Sequence, residues 1–523
     1  MLGIFLFSCC VALLYWIHKY YHTFWKHLNK FPGPLAILPL GNFLQMTLSM
    51  EKNFKTILGY CRQYKYNDFR FYGGLSPYLL ILKPESMEHI LTNVEISSKE
   101  GTYKLLRPWL GNGIVVANGS YWHQRRKMLT PFFHFDIIKQ YLPIINNVGD
   151  RFIAHLKKYS QTFEVFDMQN LGQRVTIDML SETAMGIKLN ALDSNISSIC
   201  DKIHSLGELF QRRRFILLYN IPMCYEYTAD YKKQQLYIKE IKVFIKNLIE
   251  NRRKELLGSN NNDIKANLND DKDKQKYKYK SLLDFMVIAN KDEEVFSQQN
   301  MIDEINTFLL AGNDTTAQSM SFTLFCLSRH PHIQQAAVDE QIRIFGTDKE
   351  QQPTFQNLND MKYLDLVIKE TLRVFPTIPF VERTLIEDTI LDGKFVPKGT
   401  NLVLAFVALG QNKDYFEDPM IFKPDRFDAD KRKNIKNFTY IPFSAGSRNC
   451  LGQKLSTIML KIILSKVLRS YELLPSAEGL STGIHDLTDE KDIIDNPFDP
   501  RLQFGVSLQS SNGILLRIKE RQY

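Results

Sequence analysis

The sequence predicts a mainly α-helical, α+β protein: one large helical domain crossed by a long central helix, with small β-sheets, preceded by a single N-terminal transmembrane helix. Three observations predict it. Leu2 to Ile17 carries no charge and is almost wholly apolar. The stretch from about 120 to 330 is helical in pattern and closes with an apolar-periodic run from near Phe296 to His330, stopped by Pro331. Short strand-like pieces lie between Ile378 and Val407 and again from Leu508 to Ile518.

The N-terminal element is justified by length and flanks. His18 to Trp25, with Tyr20, Tyr21, Phe24 and Trp25, extends the apolar run to roughly 20 residues with an interfacial aromatic belt. Lys19, Lys26 and Lys30 follow, and positive charge after a first span favours a cytosolic carboxyl side. A cleaved signal peptide would show a charged n-region and a small-residue cleavage site, and a mitochondrial transit peptide an Arg-rich amphipathic pattern; neither is present. Residues 1–30 are read as a membrane anchor, 31–42 as a proline-rich hinge around Phe31-Pro32-Gly33-Pro34 and Pro39-Leu40-Gly41-Asn42, and 43–523 as the globular domain.

The composition agrees with a globular body: 44% of the 523 residues are hydrophobic and 24% charged, outside the range of disordered chains. A net charge of +9 suits an anionic membrane surface or an acidic protein partner. No zinc-finger spacing, RNA-binding signature or arginine-rich arm points to nucleic acid. The seven cysteines, an odd number scattered without CxxC spacing, argue against a disulfide framework or a structural zinc site and fit a reducing compartment. The sequons at Asn118, Asn195, Asn313 and Asn437 are read as unused, Asn313 because it lies mid-helix. The stretch 258–280, with its Asn-rich start and mixed Asp/Lys run, is read as a solvated loop and is assigned no function.

Three helices carry the motifs. The one from Phe296 to His330, roughly 30 residues, is about 45 Å long, enough to cross a domain. A second covers about Asn359 to Val374 and stops before Pro376 and Pro379; a third runs from about Cys450 to Tyr471. Just ahead of the third lies Pro442-Phe443-Ser444-Ala445-Gly446-Ser447-Arg448-Asn449-Cys450-Leu451-Gly452. Gly446 permits a tight turn with φ > 0. Cys450 is placed at a helix N-terminus, where N–H groups and the macrodipole favour a thiolate. Gly452 lets the backbone approach a flat ligand, and Arg448 can pair with a carboxylate on it. In the middle of the long helix, Gly312 weakens the ladder and Thr315 can bond the Ala311 carbonyl, opening a groove.

This loop resembles the haem-binding loop of the cytochrome P-450 superfamily, Phe-x-x-Gly-x-Arg-x-Cys-x-Gly, matched at Phe443, Gly446, Arg448, Cys450 and Gly452. Further motifs stand in the family's order: Trp122-His123-Gln124-Arg125-Arg126, Ala311-Gly312-Asn313-Asp314-Thr315-Thr316, Glu370-Thr371-Leu372-Arg373 and Pro424-Asp425-Arg426-Phe427. The resemblance covers essentially the whole chain from Pro32 and is nearest to the fatty-acid ω-hydroxylase clan of microsomal enzymes. It implies the cytochrome P-450 fold and haem b bound non-covalently, with Cys450 as iron ligand. Trp122, Arg126, Arg383 and Arg448 would face the propionates. Thr315 and Asp314 would carry protons, and Glu370, Arg373 and Arg426 would form a structural ion network behind the loop. Many members of the clan carry a haem-esterifying Glu where this chain has Ala311, and the stretch Leu474 to Phe504 is longer than usual.

The expected reaction is insertion of one atom of dioxygen into a hydrophobic substrate: a fatty acid or related lipid, hormone or xenobiotic. No Rossmann fingerprint or flavin domain is present. Electrons are therefore expected from an NADPH-cytochrome reductase, with a cytochrome b-type donor as a second source. Lys431, Arg432, Lys433, Lys436 and Lys454, with Arg125 and Lys127, are a candidate docking face, or equally a solvated lysine-rich surface. Ile114, Val115, Val116, Phe308, Leu310, Ile378, Phe380 and Leu508 are candidate pocket residues, and equally plausible as core. The expected location is the endoplasmic reticulum membrane, single-pass, with the domain facing the cytosol. Two other readings stay open: a haem-thiolate isomerase or dehydratase, against which Thr315 and Asp314 speak, and a non-catalytic membrane-bound haem or lipid-binding protein.

Overall fold

The central helix, Gln298–Arg329, organises the molecule. The Ser297 hydroxyl caps its start by accepting the Asn300 N–H at 3.2 Å, and Pro331 ends it by disfavouring helix at the preceding residue. From Met301 onward it is buried on nearly every side, so it shows no polar face. Its small polar residues satisfy themselves locally: Ser319, Ser321 and Thr323 donate to the carbonyls four residues back at 2.8, 2.8 and 2.6 Å. That lets the neighbouring helix Met168–Leu180 come close, with Gly172 so placed that a Cβ would lie 3.0 Å from the Ser321 hydroxyl.

This computed structural model describes residues 2–193, 197–258, 281–289, 296–478, 480 and 498–523. The 258–280 run beyond Gly258, Asn195 and most of the 474–504 stretch lie outside the described residues.

Two apolar clusters share the central helix. Its C-terminal half packs with Lys362–Val374 and Gln453–Ser470 through Phe322, Leu364, Leu460 and Ile463, and Phe322 stacks on Phe375 at 4.6 Å between ring centroids. Its N-terminal half packs with Gly119–Leu129, Ser197–Phe215 and Ala229–Gly258 through Met301, Ile305, Trp122, Leu206 and Ile245. The segment between the two clusters is Ala311–Thr315.

The β structure is small and peripheral, as expected. A five-stranded sheet has the order Phe69–Gly73, Ser76–Ile81, Asn401–Ala405, Phe380–Leu385, Ser97–Ser98, with one parallel pairing between the second and third. A three-stranded sheet joins Phe166–Asp167, Leu515–Glu520 and Tyr471–Pro475. The hairpin Leu502–Phe504/Leu508–Ser510 turns through Gly505, Val506 and Ser507.

The N-terminus departs from the expected span. Among the described residues no helix is long and apolar enough to cross a membrane. The regular helix is Leu2–Tyr20, followed by a π turn, Tyr21–Trp25. The aromatic residues expected as an interfacial belt are partly used for packing: Trp25 stacks on Tyr72 at 4.9 Å, and Leu28 and Phe31 are fully buried beneath the first sheet. The proline-rich segment is docked as well. Arg70 donates from its backbone to the Pro32 carbonyl at 2.8 Å and from its guanidinium to the Pro34 carbonyl at 3.0 Å, and buried Asn42 pairs with the Tyr72 backbone.

Glu370 and Arg373, one helical turn apart, are both fully buried and bonded bidentately at 2.8 Å. Arg426 reaches the same carboxylate at 3.2 Å, and the Lys423 backbone N–H donates to it at 2.8 Å. Arg373 also donates to the Gly410 carbonyl at 2.6 Å. A pair so placed is costly to break because each partner strands a buried charge. Replacing Glu370 by Ala should lower stability by about 3–5 kcal/mol, read as a fall in the denaturant midpoint.

Candidate active site

Between the two halves of the core lies a cavity of about 350 Å³. The middle of the central helix forms one wall, with Ala311, Gly312, Asp314 and Thr315; the loop Pro442–Gly452 lines it too, with Phe443, Arg448 and Cys450.

The loop is held by backbone geometry. Gly446 has φ +70°, and a Cβ there would collide with the Leu91 carbonyl oxygen. Ser444 also has positive φ, at 59°, and the Cys450 N–H donates back to the Phe443 carbonyl at 2.9 Å. The helix starts at Gln453 rather than at Cys450, so the cysteine precedes it. Its thiol opens into the cavity. Burial raises its pKa despite the Gly452 and Gln453 N–H groups and the charge of Arg126, so the expected helix-terminal preference for thiolate is outweighed here. A coordinated metal ion would reverse that balance, since a coordinating thiol is deprotonated outright. Gly452 has no such clash: a Cβ there would meet only Phe133, at 3.9 Å.

In the wall formed by the central helix the Thr315 hydroxyl donates to the Ala311 carbonyl at 2.7 Å, as the spacing suggested. Asp314 receives a hydrogen bond from the Ser507 hydroxyl at 2.6 Å, a partner invisible in sequence because it comes from the distant hairpin turn. Burial raises the Asp314 carboxyl, while Ser507 and His204 draw it back.

Cations crowd one side. Arg126 donates to the Asn449 backbone and side-chain oxygens at 2.9 and 2.8 Å. Arg448 donates to the Ala117 carbonyl at 2.7 Å, with its guanidinium over the Trp122 ring at 3.7 Å. Arg383 donates to the Glu382 carbonyl at 2.8 Å. Lys99, which no sequence pattern singled out, lines the same cavity. None of the four has a carboxylate within ion-pair distance among the described residues. Burial, with Arg383 and Arg126 nearby, pulls the Arg448 guanidinium down to about 9. Burial and the three arginines hold Lys99 well below the usual ammonium range. Such like-charged crowding in a buried place fits an anionic partner.

Other expectations divide. Ile114, Val115, Phe308, Leu310, Ile378 and Phe380 line the cavity. Val116 and Leu508 do not; both are fully packed into the apolar core, and Phe504, Gly505 and Val506 of the hairpin take the place assigned to Leu508. Arg125 cannot belong to a docking face: it is buried, stacked over Phe296 at 4.0 Å and Tyr121 at 5.0 Å. Lys127, Lys431, Arg432, Lys433, Lys436 and Lys454 are exposed, though Lys436 pairs with Glu85 and Lys433 with Asp430. Asn313 is buried, accepting from the Thr176 hydroxyl.

A helical body with a cysteine and a threonine on one cavity, ringed by cations that await carboxylates, defines a haem-thiolate protein. The chain belongs to the cytochrome P450 family, which matches residues 31–484. It is 34% identical to cytochrome P450 4e2 of Drosophila melanogaster over 94% of each chain. It is likewise 34% identical to the probable cytochrome P450 4e1 of the same fly over 95% of this chain and 94% of that one. A third relative, cytochrome P450 4e5, mitochondrial, of Drosophila mettleri, is 32% identical over 92% of each. The protein is thus a haem-thiolate monooxygenase, an oxidoreductase of a family that uses haem b, dioxygen and electrons drawn from NADPH. The cavity fits that group: a thiol in one wall, an open glycine beside it and uncompensated cations for two carboxylates.

The two loop glycines separate experimentally. Gly446→Ala should destabilise the protein by about 1–3 kcal/mol through its φ and clash, read by thermal or denaturant unfolding. Gly452→Ala should leave unfolding nearly unchanged and reduce haem occupancy, read from the ratio of Soret to protein absorbance.

Proposed function

We propose that this chain hydroxylates a fatty acid or related lipid, with electrons delivered by an NADPH-dependent reductase. The observation that carries the reading is the shared cavity: Cys450 and Thr315 line one largely apolar space beside a cluster of unpaired cations. Cys450 would hold the haem iron through its thiolate, and the haem, when bound, would supply the oxidising chemistry, helped by electron density from that thiolate. Arg126, Arg383 and Arg448 are assigned to the propionates, with Trp122 supporting Arg448 from its ring face. Phe443, Gly446 and Gly452 shape the loop around the group, and Ala311, lacking a carboxylate, leaves it non-covalently held.

Thr315 and Asp314 are assigned to proton delivery. The threonine hydroxyl, tied to the Ala311 carbonyl, stands at the cavity wall where a proton can be handed on, and Asp314 stands next to it as the exchanging acid. Ile114, Phe308, Ile378 and Phe380 hold an aliphatic chain and exclude water. The exposed Lys127, Lys431, Arg432 and Lys454 suit an acidic redox partner, the reductase or a cytochrome b-type donor. Glu370, Arg373 and Arg426 stiffen the support behind the loop.

Residues 1–30 are assigned to attachment of the protein to the endoplasmic reticulum membrane, with 43–523 facing the cytosol. The apolar Leu2–Ile17 and the following lysines support it. The name of one relative includes the word mitochondrial, and cell fractionation separates the two locations. Full-length protein should stay with the microsomal membrane through alkaline carbonate washing, and protein lacking residues 1–30 should be released; recovery in a mitochondrial fraction would overturn the location.

Reduced protein under carbon monoxide should give a strongly red-shifted Soret band that Cys450→Ala abolishes. With a reductase, fatty acids should stimulate NADPH consumption and yield hydroxylated product. Thr315→Ala should divert most of the consumed NADPH to hydrogen peroxide. Consumption that no lipid stimulates, in protein with an intact spectrum, overturns the hydroxylase reading.

A further inference from the structure

Next to the main cavity lies a second, of about 10 Å³, the size that one water molecule needs. Its lining includes Gln173, Cys200, His204, Asn313, Asp314 and Val506. The two cavities share Leu310, Asp314, Gly505 and Val506, so Asp314 is the titratable group common to both linings. Cys200 is no proton carrier near neutrality, because burial pushes its thiol to about 12. His204 is different. It lies on the helix Ser197–Phe215, its side chain is 28% exposed, and its Nε2 stands 3.6 Å from the Glu208 carboxylate, itself 48% exposed. Groups thus succeed one another from solvent to the main cavity: Glu208, His204, the small polar cavity, then Asp314 with Ser507, and Thr315.

We propose that His204, with Glu208, is the port through which solvent protons reach Asp314 and so the Thr315 hydroxyl. The proposal rests on the assignment of Asp314 and Thr315 to proton delivery. The overall reaction is RH + O₂ + NADPH + H⁺ → ROH + H₂O + NADP⁺, in which two electrons and two protons enter. In each delivery the imidazolium gives a proton to the Asp314 carboxylate across the small cavity, and neutral His204 takes a new one from solvent at the Glu208 side. No electrons move in this step, and each group returns to its starting state once Asp314 has passed its proton to Thr315.

The surroundings of His204 support this. The contact with Glu208 raises its pKa most, burial opposes, and the charges of Glu208, Asp314 and Asp201 add to the rise. Asp167, at the start of the neighbouring helix, also feels His204, and Lys233 and Arg212 stand near Glu208. The sign follows: the imidazolium persists to higher pH than in an ordinary histidine, so the port stays charged nearer neutrality and empties as pH rises through the raised value. The side-chain amides of buried Gln318, one turn beyond Asp314, and of Gln173 also face the Asp314 carboxylate and draw its pKa down, further polar surface at this end of the path.

Two arms on the haem-loaded full chain test the proposal. The first is independent of turnover: deuterium exchange at the imidazole C2 position, followed by mass spectrometry, gives the titration of His204. It should lie above that of an ordinary histidine and drop in Asp314→Asn and in Glu208→Gln; a His204 titration unmoved by Asp314→Asn overturns the coupling. The second is the partition of NADPH between product and hydrogen peroxide. His204→Gln should lower the product-to-peroxide ratio several-fold and raise the solvent isotope effect, with the carbon-monoxide spectrum intact. Hydrogen peroxide supplied as oxidant, RH + H₂O₂ → ROH + H₂O, draws no net proton from solvent, so product formed that way should be retained. A ratio equal to wild type overturns the port. Glu208→Gln, at an exposed position, should shift the ratio in the same direction by less, and decides the matter if His204→Gln does not fold. Wild-type protein that forms no product by either route would instead overturn the monooxygenase assignment, while the titration arm still reports on the coupling.

Discussion

The structure depends on an unbalanced charge. Arg126, Arg383, Arg448 and Lys99 converge on one cavity, and none of them has a carboxylate within ion-pair distance among the described residues; Glu382, which also lines it, pairs with Arg214 instead. Hydrogen bonds to carbonyls and a tryptophan face orient the arginines without neutralising them. Burying like charges together is unfavourable unless a counter-charge arrives. The fold is therefore completed by an anionic group, and the wall containing Cys450 has to stand at a set distance from the wall containing Thr315 for that group to fit.

That spacing is enforced from outside the cavity. Behind the cysteine loop, Glu370 binds two arginines, and these in turn bond the Gly410, Ile421 and Asp418 carbonyls. The loop's own turn is set by Gly446 against the Leu91 carbonyl. On the far side, the central helix is buried all round and admits its neighbours through Gly172 and self-satisfied hydroxyls. The same back-bonding that lets Ser321 sit in a dry interface is made by Thr315 at the cavity wall: one local device serves packing in one turn of the helix and shapes the cavity in another.

Local grammar made much of this legible. The central helix was read within about two residues at each end from its apolar period and Pro331, and the end of the helix Lys362–Val374 from the two prolines after it. The Thr315–Ala311 bond followed from spacing alone. Where a reading required knowing what packs against what, it failed. Arg125 looks like a surface cation beside Lys127, yet the fold lays it on Phe296, far along the chain. Val116 and Leu508 are apolar like their pocket-lining neighbours, and side-chain chemistry cannot tell a cavity wall from a core.

By itself the sequence determined the family, the order of the helices and the cysteine loop, because each is written in short-range pattern: period, turn glycine, helix stop, motif spacing. Only the tertiary structure decided which distant groups meet. Ser507 reaches Asp314 because a hairpin near the C-terminus folds its turn against the central helix, and Lys99 joins the arginines because the segment after a two-residue strand edges the same cavity. Trp25 turns inward onto Tyr72, since burial against a sheet was available to it, while Trp16 and Tyr21 stay exposed. Such meetings depend on long-range packing, where any of several apolar or charged residues could have served, and no local period records the choice.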